Sequence, residues 1–126
     1  MAAKVRTDAA VSSSAVITKA TVRAAERLGI KNKVLARIIG VSEATVSRMK
    51  QGDYPLEPTQ KPFELAVLFV RLFRSLDAMT GGDEKVASSW LVNENTALSG
   101  RPIDLIQTIS GLGNVIHYLD ARRAIV

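Results

Sequence analysis

The chain has 126 residues, 47% of them hydrophobic, no cysteine and a formal net charge of +5. That length allows one domain or two very small ones, and that composition can bury a core, which argues against a disordered regulator. The lack of cysteine excludes a disulfide frame and a thiolate zinc site, and the longest apolar run, Leu65-Ala66-Val67-Leu68-Phe69-Val70, falls far short of the ~20 residues a membrane helix needs.

Residues 1–13 are small and polar and read as a flexible arm. They carry charge and lack an apolar signal core, so a cytoplasmic protein with no membrane partner is expected. Ser14 can cap a first helix, in which Ile17, Ala20, Ala24 and Leu28 share one face and Gly29 is the stop. Asn32 can cap a second helix over Lys33–Ile39, ended by Gly40. Ser42 can cap a third over Glu43–Gln51, ended by Gly52. The next stretch, residues 52–62, holds three of the four prolines and no apolar period, so residues 53–61 are expected to link two domains, 14–52 and 62–126.

Pro62 suits the first turn of a fourth helix running to Met79, with Gly81-Gly82 as its stop. It is apolar on two faces. Phe63, Ala66, Val67, Val70 and Phe73 form one, and Leu65, Phe69, Leu72 and Leu76 the other. Such a helix is either the central core helix of a monomer or a dimer helix. Asp83 can start a fifth helix, Leu98–Gly100 reads as a turn, and Pro102 opens a sixth over Ile103–Ser110. Gly111 and Gly113 are expected to break it, with a last helix from Asn114. Trp90 reads as a core anchor, with Leu91, Leu98, Ile103, Leu105, Ile106, Ile109, Val115, Ile116 and Leu119 closing a small core. No useful stretch alternates with period two, so the fold class is all-α.

Residues 32–51, NKVLARIIGVSEATVSRMKQ, have the spacing of a helix-turn-helix. Ala36 is the small contact residue, Gly40 takes the turn that tolerates positive φ, and Val46 locks the second helix onto the first. The charge agrees. Residues 1–52 hold ten Lys/Arg against three Asp/Glu, whereas residues 53–126 hold seven against nine. A basic front and a slightly acidic back imply different partners, DNA for the front. The outward residues of the third helix, Ser42, Glu43, Ala44, Thr45, Ser47 and Arg48, are the candidates for the major groove. Arg48 suits guanine and Ala44 or the Thr45 methyl a thymine methyl. Glu43 can accept from a cytosine amine or simply complement the helix dipole. Lys31, Lys33 and Lys50 suit phosphates, and such heads usually bind operator DNA as homodimers.

No enzyme is expected. His117, the one histidine, has Asp120 three residues on but neither a nucleophile nor a metal shell, and Gly111 and Gly113 follow no strand, so they make no phosphate loop. No cofactor or metal is called for.

In the back half, Trp90-Leu91, Asn95, Leu98, Gly100, Pro102, Leu105, Thr108, Gly111, Val115 and Leu119 resemble, in that order, the C-terminal toxin-binding domain of the Xre/MbcA/ParS antitoxins. The helix-turn-helix before it resembles the Xre-type head of the same proteins, and the likeness covers about residues 20–122. It implies a helical toxin-binding and dimerisation domain behind the DNA-binding one, and a type II antitoxin whose partner is a RES-domain toxin. Such a toxin degrades NAD, its antitoxin blocks the active site, and the antitoxin or the complex represses its own operon. The candidate toxin contacts are Arg101, His117, Asp120, Arg122, Arg123, Ile125 and Val126. The basic, partly apolar tail can lie at the mouth of the toxin's pocket, or its two arginines can merely complement the dipole of a fraying helix. The competing functions are a stand-alone phage-type repressor that uses its back half only to dimerise, and an adaptor whose head no longer touches DNA.

Overall fold

A computed structural model describes residues 2–125, with side-chain surroundings for residues 13–123. Among these residues the chain forms seven helices and no strand: α1 (Ala2–Leu28), α2 (Asn32–Ile39), α3 (Glu43–Gln51), α4 (Lys61–Met79), α5 (Glu84–Val92), α6 (Pro102–Leu105) and α7 (Ile109–Ile125).

α1 begins at Ala2, so residues 2–13, expected as an arm before the first helix, are its first turns. Alanines recur in this stretch and no Gly or Pro interrupts residues 2–28, so helix propensity carries through the serine run. Ser14 is therefore interior to the helix and not its cap. It is buried, and its hydroxyl donates to the carbonyl of Leu56. One turn on, the Thr18 hydroxyl donates to the Ser14 carbonyl at 2.7 Å and accepts from the Leu56 N–H at 2.9 Å. These bonds satisfy both backbone groups of Leu56, whose side chain is 1% exposed. The stretch expected to link two domains is thus pinned to α1 at Leu56.

The helix stops follow one pattern. After α1, α2, α3 and α4, a glycine at positive φ lets the next N–H reach back to a carbonyl five residues earlier. The bonds are Ile30 to Ala25 at 2.9 Å, Val41 to Ala36 at 3.0 Å and Asp53 to Arg48 at 3.0 Å, and after α4 Gly82 to Asp77 at 2.9 Å. α3 and α5 start as expected: Ser42 accepts from Thr45 N–H, and Asp83 accepts from Lys85 and Val86 N–H. α2 does not, because Lys31 holds the cap position without a side-chain bond and Asn32 is the first helical residue.

α4 is the central element and packs against α1, α2 and α7. Leu65, Phe69, Leu72 and Leu76 are buried as one face, and Ala66 and Val70 bury much of the other. One continuous cluster joins Leu35, Ile39 and Val46 of the helix-turn-helix through α4 to Leu112, Val115 and Leu119 of α7. Each such fully buried aliphatic or aromatic residue is worth ~1.5–3 kcal/mol of transfer. The exposed Arg27–Glu84 pair that also ties α1 to α5 is worth at most ~1 kcal/mol, so apolar packing holds the elements together.

The end of the chain departs from expectation. α6 is only four residues long, and α7 starts at Ile109, so Gly111 and Gly113 lie within a helix and break nothing. A Cβ on Gly111 would stand 1.9 Å from the Leu105 carbonyl oxygen. Glycine is there because the first turn of α7 passes directly over the end of α6. Leu112 between the two glycines is fully buried. Trp90, Leu98, Ile103 and Leu105 are only half-buried, and Ile109 is 64% exposed, so the core of this part is smaller than expected.

Candidate nucleic-acid interface and partner surface

α2 and α3 make the expected two-helix unit. Ala36 is 5% exposed at their contact, Gly40 turns the chain at φ +75°, and Val46 and Met49 anchor α3 inward. With that face buried, Ser42, Glu43, Ala44 and Arg48 are left exposed and Thr45 and Ser47 half-exposed on the other face of the same helix. Ser42 and Thr45 are partly engaged with each other: the Ser42 Oγ accepts from the Thr45 N–H at 3.1 Å and shares a hydrogen bond with its hydroxyl at 3.0 Å. Glu43 stands in the first turn of α3, where a carboxylate complements the dipole. Arg48 lies 5.8 Å over the ring of Tyr54, which leads from α3 into the pinned stretch. Tyr54 was not a sequence candidate, and its place between Gly52 and Pro55 carries no motif that marks it. Lys33 is exposed on the first turn of α2 and Lys50 near the end of α3, so the two lie on different elements.

The candidate partner residues of the back half do not converge. Arg101 precedes α6 and makes a bidentate pair with Asp104, at 2.9 and 3.1 Å, which keeps the Asp104 carboxyl below its ordinary range. His117 is exposed on α7. Asp120 was expected beside it as a contact residue, but both of its oxygens are taken. Ser75 donates to one at 2.8 Å and Arg71 to the other at 2.5 Å. The Ser75 hydrogen bond, then Arg71 against a burial cost, holds this carboxyl below the usual value. Arg123 turns to the same cluster and donates to Ser75 at 3.3 Å. Arg122 instead lies 5.7 Å over Tyr118, whose ring stacks on Trp90 with centroids 6.3 Å apart. The two arginines of the tail therefore bind back onto α4 and onto the Trp90–Tyr118 stack. Ile125 closes α7 with its side chain outside the described residues, as is the whole of Val126.

Ser75 is the residue that sequence reasoning missed here, and it left a signal. It is a hydroxyl, 1% exposed, on an apolar stripe beside Leu72 and Leu76, and a polar group in such a place requires a partner. Trp90 borders an open hollow of about 410 Å³ with Val86, Asn93 and Glu94. Among the described residues, no group of three or more His, Asp or Glu is placed to hold a metal ion, and no helix is long and apolar enough to cross a membrane.

Two family models match the chain. Residues 8–71 match the antitoxin Xre-like helix-turn-helix domain, and residues 75–124 match the antitoxin Xre/MbcA/ParS C-terminal toxin-binding domain. The two matches meet inside α4. No curated protein matches the chain.

Proposed function

We propose, from the premise that this chain belongs to the Xre-type antitoxins, with an Xre-like helix-turn-helix and a toxin-binding domain in one molecule, that it neutralises a RES-domain toxin and represses its own operon. The observation that carries the reading is the presence of both domains, in order, over almost the whole chain. In this reading the protein works in the cytoplasm as a homodimer. Ser42 at the cap of α3 and Glu43, Ala44, Thr45, Ser47 and Arg48 within it face base edges, with Lys33 and Lys50 on phosphates. Its back half covers the NAD pocket of the toxin with Arg101, His117, Arg122, Arg123, Ile125 and Val126 as contacts. Asp120 acts differently. Tied to Ser75 and Arg71, it positions α7, and Arg123 bonds to the same Ser75 and so orients the tail.

The test is co-expression with a RES-domain toxin. The full chain restores growth and co-purifies with the toxin; a chain that does neither contradicts the reading. Deletion of residues 121–126 then separates a tail that blocks the pocket from a domain surface that does so. Loss of neutralisation with binding retained assigns the block to the tail, and full neutralisation excludes it.

A further inference from the structure

A groove of about 540 Å³ runs between α1 and the end of α3. Lys19 and Arg23 line it from α1, Lys50 from α3, and Gly52 and Tyr54 from the chain beyond α3. Lys19 and Arg23 are four residues apart on one helix, so they project on the same side, one turn from each other. No Asp or Glu lines the groove. Among the described residues, none of the three cations has a carboxylate within 4.0 Å, whereas Arg27, one turn further along α1, is paired with Glu84 and Asp77. The basic charge of α1 is thus neutralised on the side of α5 and left open on the side of α3. Three like charges around one groove repel one another, and no carboxylate on its walls offsets them. An anionic partner is what such a site lacks.

We infer that this groove is a second phosphate seat, in which Lys19 and Arg23 of α1, with Lys50, hold the backbone of the DNA duplex that α3 reads. Its walls include Met49, Lys50 and Gln51 of α3 itself, so a backbone strand lying there belongs to the same duplex as the bases that face Arg48. Tyr54 lines the groove while its ring carries Arg48, which couples the phosphate seat to the base-reading side chain. The inference rests on the DNA-binding reading of the helix-turn-helix and extends the footprint from α2 and α3 to α1. Two residues join it that the helix-turn-helix motif does not contain.

The test is binding of the full-length protein to a short random-sequence duplex, and to one selected by the protein from a randomised pool, at salt from about 50 to 200 mM. The variants are Lys19→Gln with Arg23→Gln, both exposed positions, and Lys33→Gln for comparison. The double variant should lower the slope of log K against log salt by about 1.8, near 0.9 for each lost phosphate. It should weaken both duplexes by the same factor, on the order of tenfold per contact at 0.1 M salt. Thermal unfolding and toxin co-purification should be unchanged. A double variant with the wild-type slope overturns the inference while the wild-type binding itself leaves the DNA reading intact. Loss of toxin co-purification in place of DNA affinity overturns it too, by giving the groove to the protein partner. A wild-type protein that binds neither duplex sinks both readings.

Discussion

Gly111 and Gly113 stand two residues apart in one helix, and the packing around them predicts opposite responses to a methyl group. Alanine at 111 would drive its Cβ into the backbone of Leu105, which cannot swing aside as a side chain would. Alanine at 113 meets nothing within 4 Å and removes a glycine from a helix interior. Denaturant unfolding should show Gly111→Ala destabilised by at least ~1–3 kcal/mol and Gly113→Ala stabilised by ~0.5–1 kcal/mol. Equal effects would contradict the close crossing of α6 and α7. Tyr54 gives a second contrast at this scale. The ring, not the hydroxyl, carries Arg48. Tyr54→Phe should keep the preference for a selected duplex over a random one, and Tyr54→Leu should reduce it with Arg48 unchanged. Competition binding reads the ratio, and an equal ratio for both variants would show that the ring does not position Arg48.

At the scale of elements, α7 is held on α4 by packing and by one polar cluster. The Asp120 carboxyl is depressed by the Ser75 hydrogen bond and by Arg71. A carboxyl whose folded pKa lies below its unfolded value contributes stability above the unfolded value of about 4, and that contribution is lost as pH falls through the folded value. Unfolding measured across the acid range should show the wild type losing more stability than Asp120→Asn as pH falls below about 5. Parallel curves for the two proteins would remove Asp120 from the cluster. The elements also differ in how far their own residues determine them. Apart from the start of α2, the helix-turn-helix was legible to single residues, because Ala36, Gly40, Val46 and the Ser42 cap act locally and each leaves a distinct residue type. The pinning of Leu56 and the course of α7 were not, because each is decided by a distant partner, and α1 begins at Ala2 because no Gly or Pro breaks the helix before Ser14. Ser14 looks like a cap until Leu56 arrives above it, and Gly111 looks like a stop until the Leu105 carbonyl is seen beneath it. The candidate partner surface was the least legible part. Spacing on α7 put Asp120 beside His117 and left Arg123 in the tail, whereas Ser75 and Arg71 on α4, 45 and 49 residues from Asp120 in sequence, hold Asp120, and Ser75 also takes Arg123.

Across the whole molecule, α4 is the element that both halves share. It closes the core beneath the helix-turn-helix, and it carries Arg71 and Ser75 that fix α7. The charge follows the same division, with an excess of cations before residue 53 and a slight excess of acids after it. A molecule of this kind can meet DNA and a protein partner on different residues, and the phosphate variants of α1 are expected to spare the toxin for that reason. The most direct measurement of the central claim is NAD consumption by a purified RES-domain toxin titrated with the purified chain. Consumption should fall steadily and stop once the chain is present in amounts comparable to the toxin. Consumption unchanged by a large excess of the folded chain would contradict it.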